Sequence, residues 1–173
     1  MPPAPARLSR LGTILASCLI LAGCASLVDV APGTPLAEVQ ARFGAPSFSC
    51  TTANGQLRVI WTTQPNGQLA WGSNVDAAGR TERMEPLLTS ERFRRLETGV
   101  WNKDSVRCEF GPPAEIGPVG LPASRQEVWS YRFKENHVWN SLMHIYFDPH
   151  TERVTRHHPG PDPMYEPLEF FVD

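Results

Sequence analysis

The sequence predicts an α+β fold made of two tandem units, each a helix followed by an antiparallel meander of strands. The motif V-x-x-x-F-G-x-P occurs twice, at residues 39–46 and again at residues 106–113. Runs of β-branched and aromatic residues with a two-residue period follow each copy, and turn residues separate them. We therefore expect one antiparallel sheet layer with the helices packed on one face.

The overall composition is that of a globular protein. The 173 residues contain 16 Lys and Arg against 18 Asp and Glu, which gives a net charge of -2, and 41% of them are hydrophobic. Because no basic run occurs, the electrostatic footprint of a nucleic-acid-binding protein is missing. We expect no nucleic acid among the partners.

The first 23 residues have the three parts of a secretion signal. Arg7 and Arg10 precede an apolar stretch over residues 11–22, and small residues follow it. This stretch is shorter than the roughly 20 residues that are needed to span a bilayer core. Residues 1–23 are therefore predicted to be a signal peptide that is removed.

The end of this signal, Leu21-Ala22-Gly23-Cys24, resembles the bacterial lipobox. The resemblance implies that Cys24 is acylated and that residues 24–32 form a lipid-anchored tether, with more than one acyl chain for stable attachment. An ordinary signal with an incidental cysteine is the alternative. Residue 25 is alanine, whereas aspartate there is the retention signal of inner-membrane lipoproteins. We therefore expect attachment to the periplasmic face of the outer membrane.

Two of the four cysteines are left for pairing, Cys50 and Cys108, because Cys18 leaves with the signal and Cys24 is expected to be acylated. In an oxidising compartment an even pair favours a disulfide, which contributes about 4 kcal/mol for a loop of this length. Two buried thiols are the alternative. Two sulfur atoms alone do not form a zinc site, and we expect neither a metal nor a cofactor.

The first unit is predicted over residues 33–88 and begins with a helix. Thr34 is its expected N-cap and Pro35 its first residue. Strands are expected over residues 57–63 and 68–75. The apolar stripe of the helix consists of Leu36, Val39 and Phe43.

The second unit is predicted over residues 89–156. It opens with one or two helical turns, in which Phe93 and Leu96 are expected to point inward. Arg92, Arg94 and Arg95 are expected to face water, and contact of these arginines with anionic lipid headgroups is the alternative. A helix with Asn102 as N-cap follows. Its buried residues are Val106 and Phe110, and the strands after it are expected over residues 127–133 and 142–147. Residues 157–173 contain four prolines and are predicted to form an extended tail.

The motif G-x-x-x-x-x-V-x-x-x-F-G-x-P, followed by a strand that carries tryptophan, is similar to the SmpA/OmlA (BamE-like) family of outer-membrane lipoproteins. The matching positions are Gly33, Val39, Gly44 and Pro46. In the second unit they are Gly99, Val106, Gly111 and Pro112 or Pro113, with one extra residue between Gly99 and Val106. The resemblance implies a role in outer-membrane β-barrel assembly. The family member best known for that role has one unit, whereas the doubled arrangement resembles β-lactamase inhibitory protein, so the partner differs between the two resemblances.

Motifs of nucleophilic catalysis are missing from the sequence, including G-x-S-x-G and S-x-x-K. We therefore expect a protein that is not an enzyme. The strongest metal-ligand candidates are His144, Asp148, His150, His157 and His158. Their spacing matches no recognised ligand pattern, so they are expected to be solvent-exposed side chains; a metal-dependent enzyme is the weakest alternative.

Five tryptophans remain to be placed. Trp61 and Trp129 occupy equivalent repeat positions and are expected in the core. Trp71, Trp101 and Trp139 are candidates for partner binding, because tryptophan is enriched in binding hot spots, and burial in the core is the alternative for them. We expect a non-enzymatic outer-membrane lipoprotein that binds or scaffolds envelope proteins, with an accessory role in barrel assembly. An inhibitor or sensor of a periplasmic hydrolase is the alternative.

Overall fold

The computed structural model describes residues 26–165. Its helices are α1 (Leu36–Phe43), α2 (Ser90–Phe93) and α3 (Lys103–Phe110). Its strands are β1 (Phe48–Thr51), β2 (Leu57–Thr62), β3 (Ala70–Val75), β4 (Glu85–Pro86), β5 (Glu115–Val119), β6 (Gln126–Glu135), β7 (Trp139–Phe147) and β8 (Val154–Pro161). Short 3-10 turns cover Leu27–Asp29, Arg94–Glu97 and Pro122–Ser124. The predicted signal peptide and Cys24 lie outside the described residues.

The strands form two antiparallel four-stranded sheets, so the fold is α+β as expected. In the N-terminal sheet the order is β1-β2-β3-β4, and in the C-terminal sheet it is β5-β6-β7-β8. The prediction of one sheet is wrong, because the backbone ladders of the described strands divide into two sets. Within residues 26–165, no helix is both long and apolar enough to cross a membrane.

The helix α1 covers one face of the N-terminal sheet. Its fully buried Val39 packs in a cluster with Val59 and Trp61, two residues that point to the same side of β2. Thr34 is not the N-cap: its hydroxyl donates to the carbonyl of Ala31, and Pro35 occupies the cap position. The helix therefore begins one residue later than predicted.

The helix α3 covers the opposite face of the same sheet and one face of the C-terminal sheet. Asn102 is its N-cap as predicted, in a capping box with Ser105. Val106 and Phe110 are fully buried in a cluster that contains Ile60 of β2 and Tyr131 of β6. The expectation that the helices share one face of a single sheet is therefore wrong as well.

The segment before α3 also enters this shared core. Phe93 and Leu96 are buried as predicted, and the ring of Phe93 stacks on that of Phe110 with centroids 4.7 Å apart. Because residues from both sheets contact these rings, the two halves of the chain share one hydrophobic core.

Polar contacts join the two halves at a second place. The guanidinium of Arg132, in β6, donates through Nε to the carbonyl of Pro65 at 2.7 Å and through Nη1 to Asp162 at 2.6 Å. Gln64 donates to the carbonyl of Arg132 at 2.8 Å.

Residues 157–161 of the predicted tail belong to β8, so the sheet continues further along the chain than the proline content indicated.

Candidate functional site: an arginine-lined cleft

An open cleft of about 740 Å³ lies between the N-terminal sheet and α3. Residues of β1 and β2 form one side, and α3 with the segment that precedes it forms the other. The sulfur atoms of Cys50 and Cys108, one on each side, are joined in a disulfide with Cα atoms 5.8 Å apart. This covalent link fixes the distance between the two sides.

The side chain of Arg58, the second residue of β2, lines the cleft. Only 6% of this residue is exposed, and its Nη1 donates to the amide oxygen of Asn74 on β3 at 3.1 Å. Its Nε and Nη2 atoms have no hydrogen-bond partner in the structure. Burial, together with the positive charge of Arg92, lowers the pKa of the Arg58 guanidinium.

A chain of ion pairs crosses the cleft beside Arg58. Arg92 contacts Glu85 at 2.8 Å and Glu109 at 2.7 Å, and Arg95 contacts the same Glu109 oxygen at 2.6 Å. The side chain of Arg92 is only 12% exposed, so the prediction that it faces water is wrong. Arg95 is 56% exposed, as expected for a solvated position.

Cationic groups outnumber acidic groups around the cleft. Arg107 of α3 completes a set of four arginines, and its guanidinium lies over the ring of Trp129, 4.8 Å from the centroid. The acidic residues of the lining are Glu85, Asp104 and Glu109. Four positive charges against three negative charges leave an excess of one positive charge.

A second surface with binding potential is the outer edge of β5. This strand pairs with β6 on one side and forms the edge of the C-terminal sheet on the other. Ile116 is 53% exposed, Val119 is 48% exposed and the following Leu121 is 76% exposed. Apolar side chains on an unpaired strand edge favour pairing with another chain.

The three tryptophans proposed for partner binding differ in exposure. Trp139 is 61% exposed at the start of β7. Trp101 is partly buried against the core, lines the cleft and donates its indole N–H to the carbonyl of Thr98 at 2.8 Å. Trp71 is partly buried opposite Trp61 in the N-terminal sheet. Trp61 and Trp129 are buried, as expected for core residues.

The structure brings two of the five candidate metal ligands together. His144 and His158 face each other across β7 and β8 with ring centroids 5.5 Å apart. His157 points to the other side of β8, and Asp148 binds the backbone of His150 in the β7–β8 turn. Among the described residues, no three histidine, cysteine or acidic side chains lie close enough to hold a metal ion together.

The histidine pair already has hydrogen-bond partners. His144 Nδ1 lies 2.9 Å from the hydroxyl of Ser130, and His158 Nε2 lies 3.0 Å from the hydroxyl of Tyr146. In serine hydrolases the serine contacts Nε2 and a carboxylate orients Nδ1. Here the serine occupies the Nδ1 side, and Ser130 is only 7% exposed. This geometry favours a structural role for the pair.

Sequence reasoning missed the cleft. Two of its charged residues, Arg58 and Glu109, lie in different halves of the chain. They come together only through long-range packing. One signal was present in the sequence. Arg58 is the only charged residue of the segment LRVIWT, whose other residues are mostly apolar. A charge in a strand that is buried on both faces is unusual.

Comparison with known proteins identifies no relative: no family model, no curated protein and no solved structure matches this chain. The similarity to the SmpA/OmlA family therefore stays a hypothesis from short motifs.

Proposed function

We propose that this protein is a non-enzymatic lipoprotein of the outer membrane that binds other envelope proteins, with an accessory role in β-barrel assembly. The proposal takes its location from the resemblance of residues 21–24 to the bacterial lipobox. The disulfide between Cys50 and Cys108 is compatible with an oxidising compartment. We further propose that the two halves are tandem family-like units, because each consists of an eight-residue helix followed by a four-stranded meander.

The observation that carries the binding role is the apolar outer edge of β5. An incoming strand can pair with the backbone of such an edge, while pockets for alternate side chains provide specificity. The opposite edge of the same sheet, β8, carries Pro159 and Pro161, which have no N–H to donate. The β5 edge has only Pro118, so it is the better template for strand addition.

Site-specific photocrosslinking in intact bacterial envelopes tests this function. A photoreactive residue replaces Ile116 on the β5 edge in the full-length lipoprotein. The control carries it at Val100, which is 74% exposed in a loop outside any strand. We expect adducts with barrel-assembly components from position 116 and none of these from position 100.

Two other results contradict this function. Adducts with a single soluble hydrolase at position 116 favour the inhibitor or sensor function. Equal labelling from both positions, or none from either, argues against a partner-binding edge at β5.

Lipid attachment is tested separately by labelling cells with radioactive palmitate. We expect label in the unsubstituted protein and none in Cys24→Ser, which then separates from the membrane fraction. Equal membrane retention of both proteins contradicts a lipid anchor at this position.

A further inference from the structure

We propose that the cleft between the N-terminal sheet and α3 binds a carboxylate group of a partner protein, with Nε and Nη2 of Arg58 as its two donors. The identity of the ligand as a protein rests on the proposed function. The surface itself is separate from the β5 edge, so the cleft adds a second and chemically different contact.

The orientation of the Arg58 guanidinium supports a bidentate contact. Asn74 accepts from Nη1 at 3.1 Å and holds the plane of the group. The atoms left without a partner, Nε and Nη2, lie on one edge of the guanidinium and donate in parallel. This edge matches the two oxygens of a carboxylate, which arginine binds in a fork.

Gly72 allows the Arg58 guanidinium to lie against β3. A Cβ atom on residue 72 would lie 3.1 Å from Nη2, a tight contact that glycine avoids. Burying a charged group without full hydrogen bonding costs free energy. A buried guanidinium with unpaired donors beside a cleft is therefore a candidate for ligand binding. The cleft beside Arg58 has a volume of about 740 Å³, large enough for a side chain or a chain end.

The charge balance favours a carboxylate over a phosphate. The lining has an excess of one positive charge, which one carboxylate neutralises and which a doubly charged phosphate exceeds. The carboxylate of Glu109 already binds Arg92 and Arg95 in the same cleft, so this chemistry is present in the site.

Entry of the ligand requires a side-chain movement. Nε and Nη2 of Arg58 have almost no solvent-exposed surface, so an incoming carboxylate must displace part of the ion-pair chain. The two most exposed members of that chain are Arg95 at 56% and Glu85 at 48%, and each pairs with a side chain that is only 12–13% exposed. We expect the Glu85 side chain to leave Arg92 when the carboxylate of the ligand enters the cleft.

Isothermal titration calorimetry on the full-length lipoprotein in detergent micelles tests the proposal. The probes are N-acetyl-Gly-Glu-Gly amide, which carries a single carboxylate, the matching Gly-Gln-Gly peptide and inorganic phosphate. We expect heat only from the glutamate peptide. Arg58→Lys keeps the charge but removes the fork, so its affinity falls by at least about tenfold. Arg83→Gln removes an exposed arginine outside the cleft and leaves the affinity unchanged.

Three results overturn the proposal. These are equal binding of the glutamine peptide, tighter binding of phosphate, and an affinity of Arg58→Lys equal to that of the unsubstituted protein. Because substitution of the buried Arg58 can prevent folding, a crystal structure of the unsubstituted protein grown with the glutamate peptide provides a second measurement. A peptide carboxylate on Nε and Nη2 supports the cleft, and a peptide bound elsewhere, or no bound peptide, contradicts it.

The two proposals fail separately. Loss of peptide binding with intact crosslinking at Ile116 removes the cleft and keeps the envelope function. Peptide binding without crosslinking at β5 keeps a carboxylate site and removes the strand-edge function.

Discussion

The two halves of the chain use the same helix motif in different surroundings. Both α1 and α3 have eight residues, and both end at a glycine with positive φ, Gly44 at 82° and Gly111 at 85°. Only one residue of α1 is buried, Val39, whereas α3 buries both Val106 and Phe110. The second helix is more deeply buried because it contacts two sheets and the first contacts one.

The carbonyl after each helix shows how different residues reach the same result. The carbonyl of Gly44 accepts from the indole N–H of Trp61 at 2.9 Å, and that of Gly111 accepts from the hydroxyl of Tyr131 at 2.9 Å. Trp129, which aligns with Trp61 in the repeat, donates to Glu127 instead. A position shared in a repeat therefore does not guarantee a shared contact, because the packing of each half selects its own donor.

The largest expected effect comes from removing the aromatic ring of α3. Phe110→Ala leaves a cavity in the core between the sheets, so we expect the free energy of unfolding to fall by about 3–5 kcal/mol. Phe43→Ala is the matched change in α1, where the ring is only partly buried. Its cost should be less than half as large. Urea denaturation followed by tryptophan fluorescence measures both; equal losses contradict the difference in burial.

Breaking the disulfide removes the covalent link between the halves. Reduction, or the double substitution Cys50→Ala and Cys108→Ala, is expected to lower the free energy of unfolding by about 2–5 kcal/mol. The unfolded chain gains freedom across the separation of 58 residues. Urea midpoints with and without reductant measure the effect. The double variant is its own control, since reductant should leave its midpoint unchanged.

Substitution of the two glycines distinguishes the surroundings of the helix ends. Gly44→Ala and Gly111→Ala each force a side chain into a backbone conformation that is essentially restricted to glycine, at a cost of about 1–3 kcal/mol. At Gly111 the new Cβ would also lie 3.1 Å from the side chain of Ile60, whereas at Gly44 the space is open. We expect Gly111→Ala to lower the thermal midpoint more. Identical thermal midpoints of the two variants would contradict the tight contact between a side chain at position 111 and Ile60.

The smallest expected effect is a pH dependence of stability that originates in the C-terminal half, which holds all five histidines. Burial and the charge of His158 lower the pKa of His144, and burial lowers that of His157. The unfolded chain therefore binds more protons below its histidine pKa of about 6.5, so stability is lost as the pH falls from 7 to 5. Urea midpoints at both pH values measure this loss. In the double variant His144→Gln and His157→Gln the urea midpoint should fall less between these pH values. An equal fall in the variant would show that other groups cause the pH dependence.

Local signals in the sequence predicted the inner elements of both halves. Apolar periodicity located β2, β3, β6 and β7, and capping chemistry located the start of α3 at Asn102. The edge strands β1, β4, β5 and β8 were not predicted, because they are short or contain proline and are held by pairing with a neighbour. None of them contains a long uninterrupted run of strand-favouring residues, so pairing with a neighbouring strand completes them.

The candidate site was less predictable than the fold. The pairing of Cys50 with Cys108 was a hypothesis from compartment and parity, and the structure contains that bond. The ion pairs of Glu109 with Arg92 and Arg95 depend on the turn between α2 and α3, which sequence patterns do not describe. Contacts of this kind follow from packing after the elements have formed.

The position of α3 in a core shared by both sheets has a consequence for truncated forms of the protein. A fragment that ends before this helix would expose Ile60, Leu87 and the buried arginine of β2 to water. A fragment that starts at the helix would lack both Phe93 and the β2 surface against which Phe110 packs. Each half thus completes the other, and we expect the chain to unfold in a single cooperative transition.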